Sequence, residues 1–203
     1  MRNYITLVCI FLCFFSLDAQ YFEGGVLFGI TVSQIDGDSQ SGYHQPGLTA
    51  GAYTAREFKN IKGVIELKYT AKGAREGKNS DGLYLYEQKL RYIELPLKMR
   101  YYIEGIQSSV ETGISPGYLF YDKDADGRDN NNNKFELSWL VGIHYHLMEP
   151  LTFSVQFNYS ILTIYRHEVP DSNMGPIPRL LNLNNGDFNN VIQFMVYYQL
   201  GRK

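Results

Sequence analysis

Three aspartates at alternate positions are the residues of this chain best spaced to hold a metal ion. Asp122, Asp124 and Asp126 are followed by Gly127. Carboxylates at alternate positions can converge on a hard cation, and a glycine at this point permits the sharp turn of a calcium loop. The twelfth position of such a loop is normally a bidentate glutamate, but here it is Asn133. The pattern therefore predicts an incomplete calcium site, with a solvated outer loop as the alternative. No other cofactor is expected.

Two histidines are a second candidate for metal binding. His144 and His146 are two positions apart, so on a strand they would share one face. No third ligand can be named from the sequence, and a protein zinc site normally has at least three. We therefore expect both rings to line a polar face through hydrogen bonds.

A third candidate is the pattern G-x-S-x-G, which residues 113–117 match with Ser115 at its centre. In a nucleophile elbow the serine lies between a strand and a helix, and the next backbone N–H helps to form the oxyanion hole. Pro116 follows the serine and has no N–H. No helical pattern follows either. The match is coincidental, and we expect a protein that is not an enzyme.

The elements that would position these side chains are strands. In residues 151–161 the odd positions are Leu, Phe, Val, Phe, Tyr and Ile, and the even ones are Thr, Ser, Gln, Asn and Ser. Residues 135–147 alternate in the same way. Successive side chains of a strand point to opposite faces, so each run has one apolar and one polar side. Eight such runs follow one another. Leu90 and Tyr92 fall out of phase with the run that follows them, which predicts a bulge or a strand start near Tyr92.

The connectors between the runs alternate in length. The long ones are residues 36–45, 76–82, 122–133 and 166–187, and the short ones are 59–63, 104–107 and 148–150. Outer-membrane barrels have tight periplasmic turns and long outward loops. The pattern therefore predicts an eight-stranded antiparallel up-and-down transmembrane β-barrel with both termini in the periplasm.

Alternation alone does not say which face lies inside. A soluble lipocalin-like barrel has its apolar face inward, and a membrane barrel has it outward. The polar faces carry four acids and four bases that could pair inside so narrow a barrel: Glu66, Glu94, Glu111, Glu136, Lys68, Lys72, Lys98 and Arg100. Aromatic residues in the strands or at their ends resemble interface girdles: Tyr69, Tyr92, Tyr101, Tyr102, Trp139, Tyr145, Tyr159, Tyr165, Tyr197 and Tyr198. Both observations favour the membrane barrel.

The first twenty residues are expected to be a cleaved signal peptide. Arg2 precedes an apolar stretch at 5–17, and residues 18–20 offer a cleavage point. That stretch is shorter than the roughly 20 residues that a membrane-spanning helix needs. Both cysteines, Cys9 and Cys13, lie within it, so the mature domain of residues 21–203 would have neither disulfide nor thiolate metal site. The formal net charge of −2 argues against nucleic-acid binding.

Four blocks of this sequence resemble the PorT-type outer-membrane β-barrel family. They are FEGGVLFGITVS at 22–33, GYHQPGL at 42–48, ELKYTAKG at 66–73 and LRYIELPL at 90–97. The resemblance implies an eight-stranded barrel in the outer membrane of a family whose members mostly have no assigned activity. Its namesake is implicated in the secretion and maturation of surface proteins.

Together these features predict a small, non-porin outer-membrane protein with a structural or envelope-interaction role. Its partners would be membrane lipid and other envelope proteins, and no small-molecule ligand can be named. Two alternatives stay open: a soluble periplasmic ligand-binding barrel, and a membrane-embedded barrel enzyme.

Overall fold

Antiparallel strands make up almost all of the protein that the computed structural model describes, which is residues 22–36, 43–78, 84–124, 132–164 and 187–200. The strands are β1 (Phe22–Asp36), β2 (Gln45–Phe58), β3 (Ile61–Lys78), β4 (Tyr84–Glu94), β5 (Leu97–Ile103), β6 (Ser108–Asp124), β7 (Phe135–Met148), β8 (Leu151–Ser160) and β9 (Phe188–Leu200). Within these ranges no helix is both long and apolar enough to cross a bilayer. The predicted signal peptide lies outside the described residues.

The strands close into a ring of eight. Each neighbouring pair is antiparallel, and β1 pairs with both β2 and β9, which joins the two ends of the sheet. β4 and β5 both pair with β3 on one side and with β6 on the other, so they are two halves of one barrel strand. The predicted eight-stranded antiparallel barrel is confirmed.

The interruption between β4 and β5 falls at Leu95 and Pro96. Proline has no N–H to donate to a neighbouring strand. The sheet stays connected because its other groups still bond: Glu66 N–H donates to the Pro96 carbonyl at 3.0 Å, and Leu95 N–H donates to the Pro116 carbonyl at 2.9 Å. The strand is therefore interrupted without opening the wall of the barrel.

Connector lengths divide the barrel into two ends. Residues 59–60, 104–107 and 149–150 are the short connections, and they lie at the same end as Phe22 and Leu200. We call this the turn end. The opposite end, where residues 37–44, 79–83, 125–134 and 161–187 join the strands, is the loop end. The alternation predicted from the sequence is present in the fold.

The apolar face of the sheet points outward. Phe28, Met99 and Ile143 have 57%, 60% and 61% of their surface exposed. The acids and bases of the polar faces are instead buried in the interior. This polarity is that of a membrane barrel and the reverse of a soluble ligand-binding barrel. The fold therefore does not favour the soluble alternative.

The predicted aromatic girdle is right for some residues and wrong for others. Tyr101, Trp139, Tyr145 and Tyr198 are exposed on the outer wall. Tyr102 is exposed too, but it shares the inward face of Lys98 and Arg100, and its ring centroid lies 5.6 Å from that of His146 at the turn end. Tyr92 and Tyr197, in contrast, are buried in the interior, where a tyrosine fills space and also offers a hydroxyl to polar neighbours. Tyr159 lies on the outward face of β8, opposite Trp139, but it is buried there under neighbours such as Phe188. Tyr69 is half-buried, and Tyr165 lies outside the described residues.

The predicted bulge near Tyr92 is present, but its extra residue belongs to the facing strand. Arg91 pairs with Tyr121 and Tyr92 with Leu119, so Phe120 of β6 has no counterpart in β4. Leu90 and Tyr92 keep the phase of β4 and point inward. They form an apolar cluster near the loop end, whose members are Ile35, Ala74, Leu90, Tyr92, Leu119 and Ile164.

The orientation can be tested with single cysteines, because Cys9 and Cys13 both fall in the predicted signal peptide. Lys134→Cys lies at the exposed loop end and Glu104→Cys at the exposed turn end. In intact cells, a membrane-impermeant maleimide should label Lys134→Cys and should reach Glu104→Cys only after the outer membrane is permeabilised. Labelling with the opposite preference would show that the barrel is inverted.

Candidate functional site

The barrel interior contains a network of eight charged side chains. Each sits at an inward position of its strand, and each is at most 8% exposed. β3 contributes Glu66, Lys68 and Lys72, β4 Glu94, β5 Lys98 and Arg100, β6 Glu111, and β7 Glu136. These are the four acids and four bases that the sequence predicts to pair inside the barrel, and they do pair there. We call them the interior network.

The half of the interior network nearer the turn end is centred on Lys98 and Glu111. Lys98 Nζ lies 2.5 Å from Glu66 Oε1 and 3.0 Å from Glu111 Oε1. Arg100 Nη2 lies 3.1 Å from Glu111 Oε2, and His144 Nε2 lies 2.8 Å from the same oxygen. One carboxylate therefore contacts three nitrogen-bearing side chains from β5 and β7.

The other half, nearer the loop end, is centred on Lys72 and Glu136. Lys72 Nζ is 2.6 Å from Glu94 Oε1 and 3.0 Å from Glu136 Oε1. Glu136 also accepts hydrogen bonds from Ser138 Oγ at 2.7 Å and from Asn189 Nδ2 at 3.1 Å. These bonds satisfy a buried carboxylate that would otherwise be costly to remove from water.

Lys68 connects the two halves. Its Nζ lies 3.8 Å from Glu66 Oε2 and 3.7 Å from Glu94 Oε2, and it donates a hydrogen bond to Gln193 Oε1 at 2.8 Å. Tyr197 adds a link from the last strand, because its hydroxyl donates to Glu66 Oε1 at 2.9 Å. The network thus reaches from β3 across the interior to β9.

The interior network is electrically balanced and fills the middle of the barrel. Its four negative and four positive groups cancel one another. An eight-stranded barrel has an interior just wide enough for side chains. The apolar cluster with Tyr92 lies on its loop side, and Leu27, Met195 and Tyr197 form a second cluster on its turn side. The described interior is therefore a packed core and not a lumen.

The two histidines are polar lining, as expected from the sequence. Besides its contact with Glu111, His144 lies with Nε2 3.4 Å from Ser154 Oγ. His146 has a partner at each ring nitrogen: Ser109 Oγ at 3.1 Å from Nε2 and Thr152 Oγ1 at 3.1 Å from Nδ1. Among the described residues no group of three or more His, Cys, Asp or Glu side chains is arranged to hold a metal.

The remaining candidate residues that the structure describes, Ser115, Asp122 and Asp124, lie along β6. Ser115 is buried in the middle of β6, which continues as strand on both sides of it, so the segment does not form a strand-turn-helix elbow. Asp122 is buried near the loop end of β6, and Asp124 is the last residue of that strand. Asp126 lies outside the described residues. The calcium site therefore stays a prediction.

Sequence reasoning missed Tyr197 and Gln193 as partners of the interior network. Both are odd-numbered residues of β9, and alternation along this strand gives them one face. That parity could have assigned Tyr197 to the interior instead of to the girdle. The specific partners could not have been found this way, because Lys68 and Gln193 are 125 positions apart in the chain.

A family of known proteins has the same barrel. The family model described as the outer membrane protein beta-barrel domain matches residues 16–166. This chain belongs to that family. As an outer membrane protein beta-barrel domain, the protein is located in the outer membrane, and its exposed apolar wall contacts lipid. Among curated proteins no relative matches the chain.

Two solved structures share the fold of this outer membrane protein. Neisserial surface protein A is 11% identical with a TM-score of 0.55, over 87% of this chain and 97% of that one. Ail, the attachment invasion locus protein of Yersinia pestis, in complex with the heparin analogue sucrose octasulfate, is 12% identical with a TM-score of 0.51, over 89% of this chain and 99% of that one. At such identities the likeness shows the barrel fold alone.

The stability of this outer membrane protein should depend on the interior network. Glu111→Gln removes the carboxylate shared by Lys98 and Arg100, and breaking one partner of a buried ion pair costs about 3–5 kcal/mol of unfolding free energy. The control is Lys89→Gln on the surface, where Lys89 Nζ lies 2.9 Å from Glu87 Oε2 and the lysine side chain is 49% exposed. That change should cost less than about 1 kcal/mol.

Urea unfolding in lipid vesicles, followed by the emission of Trp139, measures both variants, because Trp139 is the only tryptophan. Adding Arg100→Met to Glu111→Gln removes the cation left without its carboxylate and should restore part of the loss. Equal small losses for Glu111→Gln and Lys89→Gln would contradict a stabilising role of the network.

Proposed function

We propose that this small integral outer-membrane barrel is a non-porin protein with a structural or interaction role in the cell envelope. The observation that carries the proposal is the balanced interior network, which occupies the space that a pore would need. Wide aqueous channels belong to barrels of many more strands. The surfaces left for function are therefore the outer wall and the two ends.

The loop end has chemistry suited to contact with anionic groups. On the outer wall of this end, Lys89 pairs in register with Lys123, and Arg91 pairs with Tyr121. The Arg91 guanidinium carbon lies 4.2 Å from the centroid of the Tyr121 ring, which holds the charge at the wall. Exposed Lys134 lies next to the start of β7. These basic residues support an interaction role at the loop end with acidic or phosphorylated envelope components.

We propose further that the chain is of the PorT type and that it has no enzymatic activity. The block at 90–97 supports the first point, and its inward residues explain its sequence: Leu90 and Tyr92 enter the apolar cluster, Glu94 the interior network, and Pro96 breaks the strand. Since these are fold-forming roles, the pathway of the namesake does not follow from the block. The second point is supported by Ser115 and the histidines, which are held in the barrel lining.

Site-specific photo-cross-linking in cells tests the interaction role. A photoreactive amino acid at exposed Lys134 should give discrete adducts with other envelope proteins. The same amino acid at Met99, which is 60% exposed in the lipid-facing band, should give none. A third probe at Ile106, which is 57% exposed at the turn end, reports on periplasmic partners.

Two results would contradict this function. One is the absence of protein adducts at both Lys134 and Ile106 in cells where the barrel shows the heat-dependent gel shift of a folded outer-membrane protein. The other is step-like ionic current from the purified protein in a planar bilayer, because a packed interior should conduct no current.

Calcium binding by Asp122, Asp124 and Asp126 is a separate proposal with its own test. Asp124 is the last residue of β6, at the loop end, and Asp122 is two positions before it, which is the spacing of carboxylates in a calcium loop. Excess calcium should raise the melting temperature of the wild-type barrel over that in EDTA, and Asp124→Ala should abolish the rise. Glu104→Ala, at the exposed turn end, is the control and should keep it. An unchanged rise in Asp124→Ala, or none in the wild type, would leave the segment a solvated loop.

A further inference from the structure

A groove of about 620 Å³ lies on the outer wall near the turn end. It crosses β2, β3, β5 and β6, and Trp139 of β7 borders it. Most of the side chains that line it are apolar, and the groove lies on the wall that contacts lipid. Its residues include Phe22, Phe58, Ile65, Leu97, Met99 and Ile114.

Gly63 leaves room in the middle of the groove. In the register across the strands, Arg56 of β2 faces Gly63 of β3, which faces Met99 of β5, which faces Thr112 of β6. A Cβ added at Gly63 would find its nearest neighbours at 3.8 Å, in the Phe58 ring, and at 4.0 Å, at the Arg56 carbonyl. These are ordinary contact distances, so a side chain could be accommodated at this position, and the missing side chain of Gly63 leaves that space to the groove.

The two threonine hydroxyls in the floor of the groove already have hydrogen-bond partners within the protein. Thr54 Oγ1 donates to the Glu23 carbonyl at 3.1 Å. Thr112 Oγ1 donates to the Leu140 carbonyl at 3.0 Å and accepts from Trp139 Nε1 at 3.2 Å. Because both hydroxyls are already bonded to protein, the floor suits a hydrocarbon chain and offers little to a polar ligand.

Arg56 is the charged residue at the mouth of the groove. Its guanidinium carbon lies 5.6 Å from the centroid of the Phe22 ring and 5.2 Å from that of Phe58, so two rings hold the side chain in place. Among the described residues Arg56 forms no ion pair, whereas Lys62 of the next strand pairs with Glu23 at 2.8 Å. A planar guanidinium is suited to bidentate contact with a phosphate.

We propose that this groove and Arg56 form a binding site for one anionic phospholipid of the periplasmic leaflet. An acyl chain lies in the groove over Gly63, and the phosphate contacts the Arg56 guanidinium. The assignment to that leaflet rests on the predicted orientation, with the turn end in the periplasm. A second copy of this chain fits the groove less well, because a two-fold contact there would bring two Arg56 charges together.

Native mass spectrometry of the purified barrel with phosphatidylglycerol tests the site. The wild type should retain one tightly bound lipid. Arg56→Gln loses the phosphate contact and should bind about tenfold more weakly, as expected for one charge-assisted hydrogen-bonding group. Gly63→Leu places a side chain in the groove and should also lose the lipid. Inorganic phosphate alone should neither bind nor compete, because it has no chain for the groove.

Matched controls separate the site from ordinary lipid contact. Lys62→Gln removes a positive charge of the same end that is already paired with Glu23 and does not line the groove. Ala50→Leu enlarges an exposed residue of β2 outside the groove. Both should retain the lipid, and the heat-dependent gel shift should show all four variants to be folded.

Three outcomes would overturn the proposal. In the first, all four variants bind phosphatidylglycerol as the wild type does, which would mean unspecific annular lipid. In the second, Gly63→Leu removes a dimer and no lipid, which would assign the groove to a second copy. In the third, free phosphate binds Arg56 as well as the lipid does. None of these results depends on whether the loop end has protein partners.

Discussion

Mutual neutralisation of charges inside a narrow barrel is the constraint on which the rest of this structure depends. Lys72 and Lys98 are buried beyond the reach of bulk water, and each lies within 3.0 Å of two carboxylates. Taking such charges out of water is costly unless the partners are well placed. The strand register must therefore be right at every inward position. A slip of one residue would turn a charged face toward lipid.

Two irregularities of the barrel wall help to place the side chains of the interior. The break at Pro96 falls between Glu94 and Lys98, which belong to different halves of the interior network. The extra residue Phe120 shifts the phase of β6, so that both Leu119 and Asp122 are buried. β-bulges commonly re-aim side chains in this way. Local departures from regular strand pairing thus allow one closed sheet to contain both the interior network and the apolar cluster on its loop side.

The sequence was sufficient to predict the fold class, the two ends and the set of eight interior charges, because alternation and connector length are local patterns. It was not sufficient to predict which side chains contact one another across the barrel interior. Tyr197 and Glu66 are 131 positions apart, and their contact exists only once the barrel closes. The girdle prediction failed for Tyr92, Tyr102 and Tyr197 because aromatic type does not reveal a face. Tyr159 is on the outer face but is covered by neighbours such as Phe188. The groove beside Gly63 was beyond prediction, since it depends on the register of several strands at once.

The distribution of charge among the strands has a consequence for how the barrel can assemble. All eight members of the interior network lie between β3 and β7. The deeply buried residues of β1 and β9, such as Thr31 and Gln193, are uncharged. The seam where the first and last strands meet therefore has no ion pair across it. Opposite charges can pair within the middle of the chain. The seam can then be the last part to close, through backbone hydrogen bonds and uncharged contacts such as that of Leu27 with Met195.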